Sequence, residues 1–159
     1  MNKTLLIAHR GYSMFEKENT LVAFSAAGAI DSFYGIETDV HVTTDNHFIT
    51  IHDDTVNRVT NNTVDLNVER NTFKTIRNIK LADIDGSLSR DDLIIPEMIE
   101  YFKVCKKYNK VAVCELKQVF TKEQIQEILD IVDSIGMLDN TIFISFILED
   151  LILLREISK

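Results

Sequence analysis

Short apolar runs alternate with amphipathic segments along most of the chain. Thr4–Ala8 is an apolar run, as expected for a strand that is buried on both faces. Thr20–Ile30 has apolar residues at helical spacing, whereas Gly35–Thr43 alternates and is rich in β-formers, which predicts a second strand. The stretch "TTDNH" is typical of a turn, and Phe48–His52 predicts a third strand.

The alternation of helices and strands continues in the second half of the chain. Pro96 stands where a helix is expected to begin, and Val111–Leu116 predicts a buried strand. Thr121 and Gln124 have the spacing of a capping box, which predicts the start of another helix before a fifth strand at Thr141–Phe146. This order indicates an α/β protein with a parallel sheet, either doubly wound or closed into a barrel.

Residues 54–95, approximately, interrupt this alternation. They are polar, poorly periodic and contain the stretches "TNNT" and "DIDGSLSRDD". A connection of this length in a compact domain is more typical of a functional loop or subdomain than of an ordinary loop. We therefore interpret residues 1–159 as one domain with an insertion at about 54–95.

Composition and the N-terminal sequence argue against several classes of protein and indicate the cellular compartment. The net charge of −8 argues against general nucleic-acid binding and is compatible with a cation site. The two cysteines, Cys105 and Cys114, are too few for a disulfide scaffold and lack metal-site spacing, so we expect reduced packing residues. The N-terminal apolar run is too short for a signal peptide or a membrane span. We therefore expect a cytoplasmic protein without a transmembrane segment.

Ionisable residues collect at or towards the C-terminal ends of the first four predicted strands. In strand order they are His9 and Arg10; Glu37, Asp39 and His41; His52 and Asp53; Glu115 and Lys117. In a (β/α)₈ barrel the C-terminal ends of the strands form the active-site face. We expect these residues to meet there, with His41 in a supporting rather than a catalytic role.

The carboxylates and the histidines predict different parts of the chemistry. Glu37, Asp39 and Glu115 would repel one another unless a cation lay between them, and an all-oxygen ligand set suits Mg²⁺ or Ca²⁺ better than zinc. His9 and His52 could supply a general acid and a general base near neutral pH.

Two cationic side chains complete the predicted site. Arg10 could bind an anion through its planar guanidinium group, and Lys117 could do so as a point charge. A divalent cation, two imidazoles and two cationic side chains are a set suited to the cleavage of a phosphate ester.

The ordered motifs "HRG", "ENT", "IETDVHVTTDNHFITIHDDTVNRVT" and "CELK" resemble those of the glycerophosphodiester phosphodiesterase family. The resemblance covers nearly the whole chain. It implies a TIM-barrel, phospholipase-C-like hydrolase of lipid and glycerol metabolism that converts small-molecule glycerophosphodiesters to sn-glycerol 3-phosphate and an alcohol. It also implies the following roles: acid and base for His9 and His52; divalent metal ligands for Glu37, Asp39 and Glu115; phosphate contacts for Arg10 and Lys117.

The family mechanism implied by this resemblance begins with an attack inside the substrate. The neighbouring glycerol hydroxyl is the nucleophile, and water then opens the cyclic phosphate that results. An intramolecular nucleophile is already positioned, so little orientation entropy remains to be lost. The insertion is expected to cover the glycerol end of the substrate.

Two alternatives remain open. A phosphodiesterase of the lysophospholipase D or sphingomyelinase D type would use the same residues on lysophospholipids or sphingolipids. A catalytically incompetent, truncated remnant would instead act as a binding module.

The length of the chain favours the second alternative, because a (β/α)₈ barrel takes about 250 residues and this chain has 159. We expect a TIM barrel truncated after its fifth strand. If 159 residues are the whole protein, we expect a homo-oligomer that buries the open barrel edges.

Overall fold

The computed structural model describes residues 4–158, so the outermost residues of the predicted domain, 1–3 and 159, lie outside the described part. The strands are β1 (Leu6–Ala8), β2 (Phe33–Val42), β3 (Phe48–Thr50), β4 (Val111–Leu116) and β5 (Thr141–Ser145). The helices are α1 (Leu21–Gly28), α2 (Phe73–Arg77), α3 (Met98–Lys107), α4 (Lys122–Ser134) and α5 (Leu148–Ile157). The predicted order of strands and helices is therefore present.

The sheet has a parallel core and one antiparallel strand. β1, β2, β4 and β5 are parallel and adjacent in that order, whereas β3 pairs antiparallel with β2. The predicted parallel sheet is present, and β3 is an antiparallel addition to it that the sequence pattern did not predict. The reason is the short connection: "TTDNH" can join a hairpin, but a parallel crossover needs about a dozen residues or more. The fifth strand of the chain is the fourth parallel strand.

One face of the sheet packs against the helices. The main apolar cluster joins Ile36 and Val40 of β2 to Cys114 and Leu116 of β4, together with apolar residues of α1, α3 and α4. Tyr101 of α3 lies within this cluster, and its hydroxyl donates a hydrogen bond of 2.7 Å to the carbonyl of Ile36. Because side chains alternate along a strand, the intervening residues of β2 and β4 point to the other face.

The opposite face of the sheet carries the polar residues of the site. The outer strands of the sheet carry exposed apolar residues. Asp39 lies opposite Glu115, and Glu115 lies opposite Ile144. Ile144 and Ile142 of β5 are exposed, as is Ile7 of β1. Within residues 4–158, β1 and β5 each pair with a strand on one side only. The oligomer expected from these edges stays a prediction.

The residues predicted as an insertion form a packed unit. They contain two 3₁₀ turns, Arg58–Thr60 and Val68–Arg70, and the short helix α2. A second apolar cluster joins this segment to β3, with Ile49 packed among insertion residues such as Val68 and Leu93. The segment is therefore held against the hairpin by burial of apolar side chains.

The composition-based expectation for the cysteines agrees with the fold. Cys105 and Cys114 are both free and buried in the helix-facing core. Burial raises the pKa of the Cys105 thiol to about 12, so it stays protonated and acts as a small apolar group. No helix within residues 4–158 is both long and apolar enough to cross a membrane.

Substitution of Gly11 by alanine should destabilise the protein more than the same change at Gly86. Both glycines have positive φ, 80° and 85°, which costs an alanine about 1–2 kcal/mol. At Gly11 a Cβ would also lie 2.7 Å from the backbone carbon of Ala23, whereas at Gly86 the nearest atom is 3.4 Å away. The clash should add about 1–3 kcal/mol for Gly11→Ala.

Urea unfolding of both variants measures this difference, and Gly86→Ala serves as the matched control for the backbone cost alone. Equal losses of unfolding free energy would mean that the loop after β1 shifts away from α1 without cost.

Candidate active site

Three carboxylates from two neighbouring strands form the centre of the site. Glu37 and Asp39 lie on β2, and Glu115 lies on β4 directly opposite Asp39. All three residues are buried, and one carboxylate oxygen of each lies within 4.8 Å of the others. The structure therefore brings together the three residues predicted as metal ligands.

The electrostatics of this cluster favour a bound cation. Burial raises the pKa of Glu37 to about 7, and the neighbouring charge of Asp39 adds to the effect, although a backbone hydrogen bond from Arg10 opposes it. Asp39 Oδ1 is buried without a hydrogen-bond partner, and its nearest cationic group, Lys117 Nζ, is 3.6 Å away. An all-oxygen set with an unpaired buried oxygen fits a hard divalent cation such as Mg²⁺ or Ca²⁺.

The loop after β1 supplies the first cationic side chain. Arg10 has φ of 56°, a conformation that turns its backbone N–H towards Glu37 Oε2 at 2.8 Å. Its guanidinium Nη1 donates to Glu18 Oε1 at 3.0 Å, and its Nε lies 3.4 Å from Asp39 Oδ2. Arg10 thus contacts the carboxylate cluster through both its backbone and its side chain.

The two predicted catalytic histidines have different environments. His9 is 69% exposed, and its Nε2 lies 4.0 Å from Glu37 Oε2 at the border of the cluster. His52 Nδ1 donates to Asp53 Oδ1 at 2.7 Å. Because Nδ1 carries the hydrogen, Nε2 of a neutral His52 has a free lone pair and can accept a proton.

The antiparallel hairpin is what places His52 at the site. The N–H of Ile51 donates to the carbonyl of Asp39 at 3.0 Å, so β3 returns the chain to the level of the carboxylates. Lys117 follows β4 directly, and its Nζ donates to Glu115 Oε1 at 2.9 Å. The hairpin and β4 therefore bring His52 and Lys117 to the same end of the sheet.

Comparison with known families assigns the chain. The sequence model of the Glycerophosphoryl diester phosphodiesterase family matches residues 9–159. The chain belongs to this family.

Individual members of the glycerophosphoryl diester phosphodiesterase family match this chain over different shares of their own length. "Glycerophosphodiester phosphodiesterase" of Caldanaerobacter subterraneus subsp. tengcongensis is 52% identical over 59 residues, which is 37% of this chain and 24% of that protein. The crystal structure of glycerophosphodiester phosphodiesterase from Agrobacterium tumefaciens has a TM-score of 0.79 at 25% identity and covers 98% of this chain and 64% of its own.

A second solved structure supports the fold alone, because its identity to this chain is only 24%. It is an Oleispira antarctica phosphodiesterase in complex with the product sn-glycerol-3-phosphate, with a TM-score of 0.84. It covers 96% of this chain and 62% of its own. These similarities confirm the predicted α/β TIM-barrel fold class. The chain spans about a quarter of the curated relative and about three fifths of each structure.

Several residues of this family member that shape the site had no assigned role in the sequence analysis. Asn19 is buried with φ of 54°, and its Nδ2 donates to Asp39 Oδ2 at 2.8 Å. Thr38 Oγ1 in turn donates to Asn19 Oδ1 at 2.8 Å. The residue that follows it, Thr20, caps the N-terminus of α1. Asn19 therefore orients a carboxylate, and the "ENT" motif was the available signal.

Arg58 is a second residue whose role could not be read from the sequence. Its guanidinium bridges Glu18, at 2.7 Å and 2.8 Å, and Asp53, at 2.8 Å and 3.0 Å. These hydrogen bonds lower the pKa of Asp53 to about 2 and keep it ionised beside His52. Arg58 thus links the insertion to the loop after β1. It also holds Asp53, the hydrogen-bond partner of His52, in position.

The metal-free protein should become less stable as the pH rises from about 4.5 to about 7. The pKa of Glu37 is about 7 in the folded state against an ordinary value of 4.5, so the folded state binds the proton more tightly. The resulting stabilisation is fully present below pH 4.5 and is lost as the pH rises through 7. Its full size is about 3 kcal/mol.

Urea unfolding in the presence of a chelator, repeated across this pH range, measures the effect. Glu37→Gln should show a flatter profile, whereas Glu156→Gln, at an exposed position, should resemble the parent protein. A parent profile that is as flat as that of Glu37→Gln would contradict the raised pKa.

Proposed function

We propose that this site hydrolyses glycerophosphodiesters to sn-glycerol 3-phosphate and an alcohol, with a divalent cation and histidine acid–base catalysis. The observation that carries the proposal is the buried cluster of Glu37, Asp39 and Glu115, which the His9 imidazole and two cationic side chains, those of Arg10 and Lys117, approach from its edge. Membership of the family and the name of the Caldanaerobacter relative support the same reaction.

The carboxylate cluster would hold Mg²⁺ or Ca²⁺. A cation bound there would polarise a phosphoryl oxygen and offset negative charge on the phosphate. Asn19 holds Asp39 in position, and the backbone of Arg10 holds Glu37, so the ligand oxygens are oriented before the cation binds. Such support is what metal ligands generally need in order to bind tightly.

The phosphate would lie between the cluster and the cationic side chains. Arg10 and Lys117 are both at the edge of the cluster and offer N–H donors to phosphate oxygens. As negative charge builds on these oxygens during reaction, hydrogen bonds from fixed cationic groups become stronger. Their contribution is therefore larger in the transition state than in the bound substrate.

His9 and His52 would move the protons. One imidazole removes the proton of the glycerol hydroxyl beside the phosphate as this oxygen bonds to phosphorus. The other protonates the alcohol oxygen as its bond to phosphorus breaks, and a cyclic phosphate remains. In the second step the roles reverse: water loses a proton and opens the ring to sn-glycerol 3-phosphate.

The domain limits and the insertion belong to the same proposal. Residues 1–159 form one catalytic domain, and the insertion at about 54–95 covers the glycerol end of a small-molecule substrate. Two ion pairs hold the insertion beside the site: Arg58 with Glu18, and Arg90 with Glu16 at 2.8 Å. The cytoplasm is the compartment we propose, where Mg²⁺ and soluble glycerophosphodiesters are both accessible.

Release of sn-glycerol 3-phosphate from glycerophosphocholine tests the proposal. The 159-residue chain is assayed with Mg²⁺, with Ca²⁺ and with excess chelator, beside a His9→Ala variant. Cation-dependent release that His9→Ala abolishes is the expected result. Release of phosphocholine instead would point to a different scissile bond, and no release from folded, cation-loaded protein would overturn the activity for this chain.

A further inference from the structure

A second group of metal-ligating side chains lies outside the carboxylate cluster. His41 is on β2, Asp54 follows β3, and Glu69 is in the 3₁₀ turn Val68–Arg70 of the insertion. One ligand atom from each of these three residues lies within 4.8 Å of the others. None of the three is among the residues to which the proposed hydrolysis assigns a role.

His41 is the residue whose environment points most directly to a ligand. It is fully buried, and its Nε2 lies 3.3 Å from the carbonyl oxygen of His52. A carbonyl can only accept, so Nε2 carries the hydrogen and Nδ1 of the neutral ring carries a lone pair. Nδ1 is buried without a hydrogen-bond partner and lies 3.5 Å from Glu69 Oε1. A lone pair that faces carboxylates is unfavourable unless a metal cation or a proton lies between them.

We propose that His41, Asp54 and Glu69 form a second metal site, separate from the carboxylate cluster, for a borderline divalent cation such as Zn²⁺. One imidazole nitrogen with two carboxylates suits zinc, whereas Mg²⁺ and Ca²⁺ prefer oxygen ligands alone. Ligands about 2.0–2.1 Å from a tetrahedral zinc ion lie about 3.4 Å apart, close to the His41–Glu69 separation.

The backbone already holds these three ligands near one another. The N–H of Val68 donates to the carbonyl of Asp54 at 2.8 Å, and Thr55 and Asn67 form an isolated antiparallel bridge. His41 is fixed by its contact with the His52 carbonyl. Binding therefore needs only small side-chain movements, and the exposed Asp54 leaves a path for the ion from solvent.

A metal at this position would join the insertion to the sheet. It would link β2, the segment after β3 and the 3₁₀ turn Val68–Arg70, and its ligand His41 contacts the backbone carbonyl of His52. Its role is thus structural: it holds the insertion and the His52 segment in place. Protonation of Nδ1 and an ion pair with Glu69 is the competing arrangement, and it requires no metal.

Zinc uptake in the presence of millimolar Mg²⁺ distinguishes the two arrangements, because Mg²⁺ would compete for the all-oxygen carboxylate cluster and not for a site with an imidazole ligand. Equilibrium dialysis of the 159-residue chain measures bound Zn²⁺ per protein. His41→Gln keeps an N–H donor for the His52 carbonyl but removes the lone pair of Nδ1, and Glu69→Gln removes a carboxylate. Glu156→Gln, at an exposed position, is the matched control.

We expect one Zn²⁺ per parent chain and per Glu156→Gln chain. Loss of a supporting residue alone weakens metal binding 10–100-fold, so loss of a ligand in His41→Gln or Glu69→Gln should weaken it by at least about 100-fold. Bound Zn²⁺ should also slow proteolytic cleavage within residues 54–95 of the parent.

No Zn²⁺ retained against Mg²⁺, or equal retention by His41→Gln and the parent, would overturn the site. Either result leaves the hydrolysis assay unaffected, because that assay depends on the carboxylate cluster.

Discussion

Glu115→Gln should weaken Mg²⁺ or Ca²⁺ binding by at least about 100-fold and remove most of the hydrolysis of glycerophosphocholine. Glu115 is the only one of the three clustered carboxylates that comes from β4, and it lies opposite Asp39 in the sheet. A neutral amide keeps the size of the side chain but contributes no charge to the cation. Isothermal titration with Ca²⁺ measures the affinity, and sn-glycerol 3-phosphate release measures the activity.

The sign of the effect on stability provides an internal check on Glu115→Gln. Glu115 adds to the repulsion that raises the pKa of Glu37, so its neutralisation should relieve strain in the metal-free protein at pH 8. The variant should therefore gain less stability from added Ca²⁺ than the parent gains. Glu156→Gln should match the parent in every measurement. Unchanged Ca²⁺ affinity in Glu115→Gln would remove Glu115 from the ligand set.

His52→Gln should lower kcat for glycerophosphocholine by about 10²–10⁴-fold, with little change in KM. In the parent, Asp53 accepts the hydrogen of Nδ1, which leaves the lone pair of His52 Nε2 available for the proposed proton transfer. Glutamine can hydrogen-bond at a similar position but cannot accept and return a proton near neutral pH. Steady-state kinetics across pH 5–9 should also show the loss of one limb of the pH–rate profile.

His47→Gln is the matched control for His52→Gln. His47 lies in the β2–β3 hairpin, is partly exposed, and pairs with Glu97 at 2.8 Å, away from the carboxylate cluster. Its replacement should leave kcat within about two-fold of the parent, since no proton transfer depends on it. A similar loss in both variants would mean that damage to the hairpin, not loss of the base, explains the effect of His52→Gln.

Local sequence patterns predicted most of the helices and strands and the residues that lie together at the site. The capping box of Thr121 and Gln124 is present at the start of α4, and the apolar runs correspond to β1, β4 and β5. These signals depend only on residues that are close together in the chain, so the sequence alone shows them. The seven residues predicted for the site lie at one end of the sheet, although their roles stay predictions.

The direction of β3 was missed, although its signal was present in the chain. The apolar run Phe48–Thr50 predicts a strand whichever way it runs. Only the length of the preceding turn constrains the direction, because a short turn returns the chain antiparallel to β2. The consequence for the site is large, since this return pairs the backbone of Ile51, the residue before His52, with that of Asp39.

The sequence by itself determined the types of element, the family motifs and the set of residues that could carry the chemistry, because these depend on residue type and short spacing. Only the tertiary structure decided which distant residues share an environment. Asn19 meets Asp39, Arg58 meets Glu18, and His41 meets Glu69 across 20, 40 and 28 positions of chain, respectively. Contacts of this kind depend on how the β2–β3 hairpin and the insertion pack, and burial then decides which groups lack a partner.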